Sequence, residues 1–175
     1  MVYLGIGSNL SSSFGDRFTN IKLAISFLNE KKINIIKQSS YYETFSYPDR
    51  EKPKFINIVV AVNTILSPKD LIKTLLLIEE KIERKRIKKN DPRTCDIDII
   101  DYNNKVLNLN LENIELKIPH QSISVRNFVL YPLMEICPNW IHPVSKTPID
   151  ILIKNLNNNE ITKLSQNDIK KNDVK

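Results

Sequence analysis

Six periodic segments in the order strand, helix, strand, strand, helix, strand predict an α+β fold. The expected form is a ferredoxin-like βαββαβ sandwich, with a mainly antiparallel sheet and helices on both sides. Two observations carry this. Val2, Leu4 and Ile6 alternate with Tyr3, Gly5 and Gly7, and Ile56, Ile58, Val60 and Val62 alternate with Phe55, Asn57, Val59 and Ala61. That is the period of strands whose two faces meet different surroundings. Between such runs, apolar residues recur at helical spacing behind recognisable start signals.

Phe14, Phe18, Ile21, Ile25 and Leu28 predict an amphipathic helix over 13–30, with Ser13 and Asp16 resembling a capping box. Residues 33–44 read as extended, and 45–54 as a charged loop interrupted by Pro48 and Pro53. Ser67 is a good N-cap, with Pro68 at the first helical position and Asp70 at the third. Leu71, Leu75, Ile78 and Ile82 form the stripe behind it. A basic segment from Arg84 to Arg93, including Lys85, Arg86, Lys88 and Lys89, leads to a strand over 96–102 and a turn at Asn103-Asn104.

Residues 108–118 read as irregular with a short strand, and Pro132 is expected to start or kink a helix. Residues 140–148 are loop-like and 149–156 a short helix. With no repeat and no linker, residues 1–160 form one expected domain and 161–175 a polar tail that frays.

The 175 residues suffice for one domain with a sizeable core. The composition, 41% apolar and 26% charged, is that of a globular protein in water. No apolar run approaches the roughly 20 residues of a membrane span, so no membrane partner is expected. The first residues lack the basic region of a secretory signal. Cys95 and Cys137 lie far apart and form no metal-binding pair, which fits two thiols in a reducing cytoplasm. The net charge of +6 admits an anionic partner, either a nucleotide or a nucleic acid.

The chemistry concentrates at Asp91-Pro92-Arg93-Thr94-Cys95-Asp96-Ile97-Asp98-Ile99. On a strand, Asp96 and Asp98 leave the same face about 6–7 Å apart. Like charges so placed repel unless a cation intervenes, and magnesium suits a site built of oxygens alone. A bare D-x-D is most often two solvent-facing aspartates. The arginines beside this one point instead to a phosphorylated ligand, since guanidinium matches phosphate through paired hydrogen bonds. No P-loop, dinucleotide fingerprint, nucleophile elbow or H-E-x-x-H occurs. Of the two histidines, His142 reads as structural, while His120 follows Pro119 and precedes Arg126 by six residues.

Several ordered motifs run through the chain. They are Gly7-Ser8-Asn9-Leu10, Phe55-Ile56-Asn57, and Ile78-Glu79 with Arg84, then the stretch from Pro92 to Ile99. Pro119-His120 and Arg126-Asn127-Phe128, leading to Pro132-Leu133-Met134-Glu135-Ile136, follow. In that order and spacing, the sequence closely resembles the 6-hydroxymethyl-7,8-dihydropterin pyrophosphokinase family of folate biosynthesis. The resemblance implies transfer of the diphosphoryl group of ATP to the pterin hydroxymethyl group, with release of AMP. It implies that Asp96 and Asp98 bind two magnesium ions and that Arg84 and Arg93 act at the phosphates. Glu79, Ile99, His120 and Arg126 fall at further nucleotide-site positions. Phe55 and Phe128 would stack on the pterin, Asn57 would bond its edge, and backbone around Thr44 and Tyr47 would assist.

The sequence departs from the family pattern at Asp91, where a small residue is usual, at Phe45, where proline is common, and at Gln121, where an aromatic is common. The basic loop is also shorter and lacks a tryptophan, with Lys88, Lys89 and Asn90 in its place. Loops 45–54 and 84–93 are expected to close over substrate. Two other classes fit part of the pattern. An RNA-binding module would use the positive charge and a sheet aromatic, but the RNP pattern is missing and two aspartates oppose a phosphate backbone. A nucleotidyltransferase would share the metal logic but release pyrophosphate. The expectation is a monomeric cytoplasmic enzyme acting on ATP and the pterin, with no nucleic acid partner.

Overall fold

The computed structural model describes residues 1–86, 91–111 and 114–170. A mainly antiparallel sheet forms the frame. β1 (Val2–Ser8) lies between β4 (Phe55–Asn63) and β5 (Asp96–Tyr102), pairing with both antiparallel. Beyond β4 come β2 (Asn34–Gln38) and β3 (Tyr42–Thr44), which occupy successive lengths of the same edge. The region expected as one extended segment, 33–44, is therefore two strands.

Helices α1 (Arg17–Glu30) and α2 (Pro68–Lys81) cover one face. Phe18, Ile21, Ala24 and Leu28 of α1 and Leu71, Leu75 and Ile78 of α2 pack onto Leu4, Ile6, Ile58, Val60, Ile97 and Ile99. Ser67 caps α2 as its sequence predicts, its Oγ accepting the Asp70 N–H at 3.2 Å. The start of α1 differs from the expectation. Asp16, not Ser13, is the cap, with Oδ1 accepting the Thr19 N–H at 2.8 Å. Ser13 instead donates to Glu83 through its backbone N–H (2.8 Å) and hydroxyl (2.6 Å), and Phe14 lies exposed outside the helix.

The opposite face is half covered. α3 (Asn127–Ile136) and α4 (Ile149–Lys154) bring Val129, Leu130, Leu133 and Leu152 against Val59, Ala61 and Ile100. Pro132 lies inside α3 rather than at its start. The register of β1 against β5 slips between Tyr3 and Leu4, leaving Ile100 as the extra residue of a bulge. This turns both Ile100 and Asp101 toward α3, where the buried Asp101 carboxylate accepts the Trp140 indole N–H at 2.8 Å. Gly5 and Gly7 keep β1 low on this face; a Cβ on Gly7 would stand 2.9 Å from Asn57 Oδ1.

A further expectation is corrected. Residues 108–118 are not irregular: β6 (Leu107–Leu111) and β7 (Ile114–Ile118) pair as a separate antiparallel ribbon. The described part of the expected tail carries two short elements. β8 (Thr162–Lys163) pairs with β3, α5 spans Gln166–Lys170, and Leu164 and Ile169 pack on the core. The remainder of the expected tail, 171–175, lies outside the described residues, as do Lys88, Lys89 and Asn90 of the basic loop.

Candidate active site

Beside the first turn of α3, the second sheet face is left open along the C-terminal half of β1. Alternation on β5 sends Asp96 and Asp98 into this opening, opposite Gly7 and Gly5. Both carboxylates are partly exposed and already paired. Arg93 Nη1 lies 2.9 Å from Asp96, and Arg84 Nη1 contacts the other oxygen of the same carboxylate. Arg126 Nη1 lies 3.0 Å from Asp98.

Glu79 stands behind them. It is buried on α2, accepts the Ile97 N–H at 2.7 Å and ion-pairs with Arg84 at 2.6 Å and with Arg86. Arg84 is thus fixed between two acids from two elements. Burial pushes the Glu79 carboxyl up to about 7, although Arg84 opposes the shift. For Asp96, burial works in the same upward direction, but Arg84 and Arg93 together outweigh it and hold the group below its usual value. Asp98 moves the other way, raised by burial and by Asp96 beside it. One site therefore contains two aspartates driven apart in acidity.

His120 reaches the same place because its N–H bonds the carbonyl of the bulge residue Ile100 at 3.1 Å. Burial lowers its pKa, favouring the neutral ring. Its Nδ1 accepts the Ser122 N–H at 3.2 Å, which leaves the proton on Nε2. That nitrogen stands 3.3 Å from Arg126 Nη1. Two donors then face one space, an arrangement that an anionic oxygen satisfies. Arg93 Nε and Thr94 Oγ1 are also buried without a hydrogen-bond partner among the described residues. The motif around Thr94 gives it no role of its own; its orphaned hydroxyl singles it out.

Next to this charged cluster lies a flatter, less polar region. Phe55, Asn57 and the aspartates share the open face, and Phe128 enters from the first turn of α3. Asn57 is buried, not solvated, and its Nδ2 donates to Thr44 Oγ1 at 3.1 Å. The guanidinium of Arg93 lies 5.5 Å from the Phe55 ring centre and that of Arg126 5.4 Å from Phe128. The phosphate-type and aromatic halves therefore adjoin.

Two expected site residues stand apart. The Ile99 side chain is buried on the α1/α2 face, opposite the aspartates, so only its backbone borders the site. The Tyr47 side chain points to solvent at 86% exposure. Asn9, in sequence only one member of a motif, is buried between the site's two loops.

The sequence pattern of the 7,8-dihydro-6-hydroxymethylpterin-pyrophosphokinases matches residues 3–138, more than half of the chain and all of this constellation. The chain belongs to that family. A 2-amino-4-hydroxy-6-hydroxymethyldihydropteridine pyrophosphokinase of Aquifex aeolicus is 38% identical over 148 residues, covering 85% of this chain and 87% of that one. The folic acid synthesis protein FOL1 of Dictyostelium discoideum is 41% identical over 143 residues, 82% of this chain but 20% of that longer protein. Among solved structures, a Plasmodium falciparum HPPK-DHPS crystallised with pteroate shares the fold at a TM-score of 0.68. It is 17% identical, and the match covers 86% of this chain and 43% of that one.

In this pyrophosphokinase the donor set suits magnesium. Asp96 and Asp98 offer hard oxygens side by side, and among the described residues no third histidine, cysteine or acid completes a protein-only cage. An ion that keeps water and phosphate oxygens among its ligands requires no more than that.

Proposed function

We propose that this chain transfers the diphosphoryl group of ATP to the hydroxymethyl group of 6-hydroxymethyl-7,8-dihydropterin, giving AMP and the pterin diphosphate for folate synthesis. The observation that carries the reading is the junction on one open sheet face. Asp96 and Asp98, ringed by Arg84, Arg93, Arg126 and His120, adjoin the slot of Phe55, Asn57 and Phe128.

Asp96 and Asp98 would hold magnesium, two ions in our reading, which would supply positive charge against the triphosphate and acidify the attacking hydroxyl. Arg84, Arg93 and Arg126 exchange their aspartate partners for the phosphate oxygens of ATP. They then stabilise charge as it moves between bridge oxygens. Glu79 keeps Arg84 aimed through that exchange, and His120 donates from Nε2 to the nucleotide. Ile99 contributes backbone alone. Phe55 and Phe128 stack on the pterin ring. Asn57, held by Thr44, reads the ring edge, with backbone near Tyr47 beside it. The loops at 45–54 and 84–93 close over both substrates and exclude water.

The strand order supports a ferredoxin-like sheet, with β5, β1, β4 and the β2–β3 pair as its four positions. We place the chain in one domain acting as a monomer. Its two free cysteines suit a reducing compartment such as the cytoplasm.

Phosphorus NMR with purified protein, ATP, magnesium and the reduced hydroxymethylpterin tests the reading. AMP and a pterin diphosphate appear together if it is right. Pyrophosphate release, or no turnover by folded protein, overturns it.

A further inference from the structure

Asn9 is only 2% exposed and uses its side-chain amide in both directions. Its Oδ1 accepts the Arg93 N–H at 2.7 Å. Its Nδ2 donates to Ser46 Oγ at 3.2 Å and to the Pro53 carbonyl at 3.1 Å. The backbone N–H groups of Asn9 and Leu10 both bond the Arg93 carbonyl, at 3.1 and 3.2 Å. Ser46 Oγ in turn donates to Pro53, so the two ends of the 45–54 loop are drawn together at the same point.

One buried amide thus joins three separate parts of the chain: the end of β1, the loop on the aromatic side of the site, and the segment carrying Arg93. An outer contact repeats the connection, since Lys52 lies 3.6 Å from Asp91. Asp91 is one of the residues that depart from the family pattern, and its carboxylate faces the other loop.

We propose that Asn9 is a positioning residue that makes the aromatic-side loop and the Arg93 segment a single wall, fixing the pterin slot relative to the phosphate-holding guanidinium. The proposal rests on the functional reading above. Asn9 touches no reacting atom; it acts through Arg93, Ser46 and Pro53. The chemistry explains why asparagine is needed. A carboxylate there would supply the acceptor for Arg93 but lose both donors, and alanine would lose all three bonds. Buried groups left unpaired would then drive local rearrangement. The Lys52–Asp91 pair is partly exposed and contributes less.

The test compares Asn9→Ala and Asn9→Asp with the unaltered chain. It measures amide hydrogen exchange at Arg93, thermal unfolding, and kcat and KM for pterin and ATP. Asn9→Ala should speed Arg93 exchange about tenfold, lower kcat and raise the pterin KM, each by about tenfold. Asn9→Asp should keep Arg93 protected and change kcat by no more than about threefold, while raising the pterin KM about fivefold. Should Asn9→Ala not fold, Asn9→Asp and Ser46→Ala carry the same test, both raising the pterin KM with the ATP KM held.

Unchanged Arg93 exchange in folded Asn9→Ala overturns the proposal. So does a loss of kcat that merely tracks the unfolded fraction, with KM unaltered in every variant. Exchange at Arg93 does not depend on turnover. An inactive unaltered chain with the expected exchange pattern would therefore count against the functional reading and leave the Asn9 wall standing.

Discussion

The carboxylate of Glu79 accepts the backbone N–H of Ile97 at 2.7 Å, binding α2 to the strand residue that separates the two site aspartates. The same carboxylate holds Arg84. Burial raises its pKa to about 7 despite that partner, whereas an unfolded glutamate titrates near about 4.3. The folded state therefore binds the proton more tightly. The resulting stability is fully present below the unfolded value and is lost as pH rises through about 7. Glu79→Gln removes this titration. Relative to that variant, the unaltered chain should lose melting temperature between pH 5 and pH 8, as thermal unfolding across the range would register. A difference independent of pH would contradict it.

Gly7→Ala should damage pterin binding selectively. The added Cβ would stand 2.9 Å from Asn57 Oδ1, while Asn57 Nδ2 is engaged with Thr44. Relief requires turning the amide and losing that bond, at a cost of about 1–3 kcal/mol. Calorimetric titration should show pterin affinity down about tenfold or more and nucleotide affinity nearly unchanged. Asn57→Ala should give the same pattern without the steric cause. Equal losses for both ligands would remove Asn57 from the pterin slot.

Asp96→Ala and Asp98→Ala should each reduce turnover about a hundredfold or more while the circular dichroism spectrum stays native. Both side chains lie on the open face and neither belongs to a core cluster. Deleting Asp96 leaves Arg84 paired with Glu79, so its charge is not stranded. An active double variant would refute the metal assignment.

Truncation after residue 160 should lower stability by about 2 kcal/mol or more in urea unfolding. It removes β8 from the edge of β3, the Leu164 N–H bond to the Tyr41 carbonyl at 2.9 Å, and the packing of Leu164 and Ile169. It also removes Lys163, 3.3 Å from Glu135, whose carboxylate accepts the Tyr42 hydroxyl at 2.8 Å. A fully stable truncated protein would bear out the expectation of a frayed tail.

What the sequence disclosed and what it withheld divide along a physical line. The two faces of β4 were legible because strict alternation assigns them: Ile56, Ile58 and Val60 lie under α1 and α2, while Val59 and Ala61 lie under α3. The α2 start was legible because Ser67, Pro68 and Asp70 act within one turn. The two-Asp strand was legible for the same local reason. Asn9 was not, since its partners Ser46, Pro53 and Arg93 come from distant segments. The β6–β7 ribbon was hidden by Asn108 and Asn110, poor strand formers alternating with leucines. The order of the tail was hidden because it depends on the free edge of β3 rather than on its own polar sequence.

The bulge at Ile100 gives the edge strand a kind of vernier. Ahead of it, the strand aims Asp96 and Asp98 at the open face; behind it, the shifted half keeps Asp101 on Trp140. Its extra carbonyl is where His120 attaches. Strand length at this one position therefore calibrates how far the histidine sits from the aspartates. Loss or gain of a single residue there would retune the charged side of the site while leaving every charged residue in the sequence.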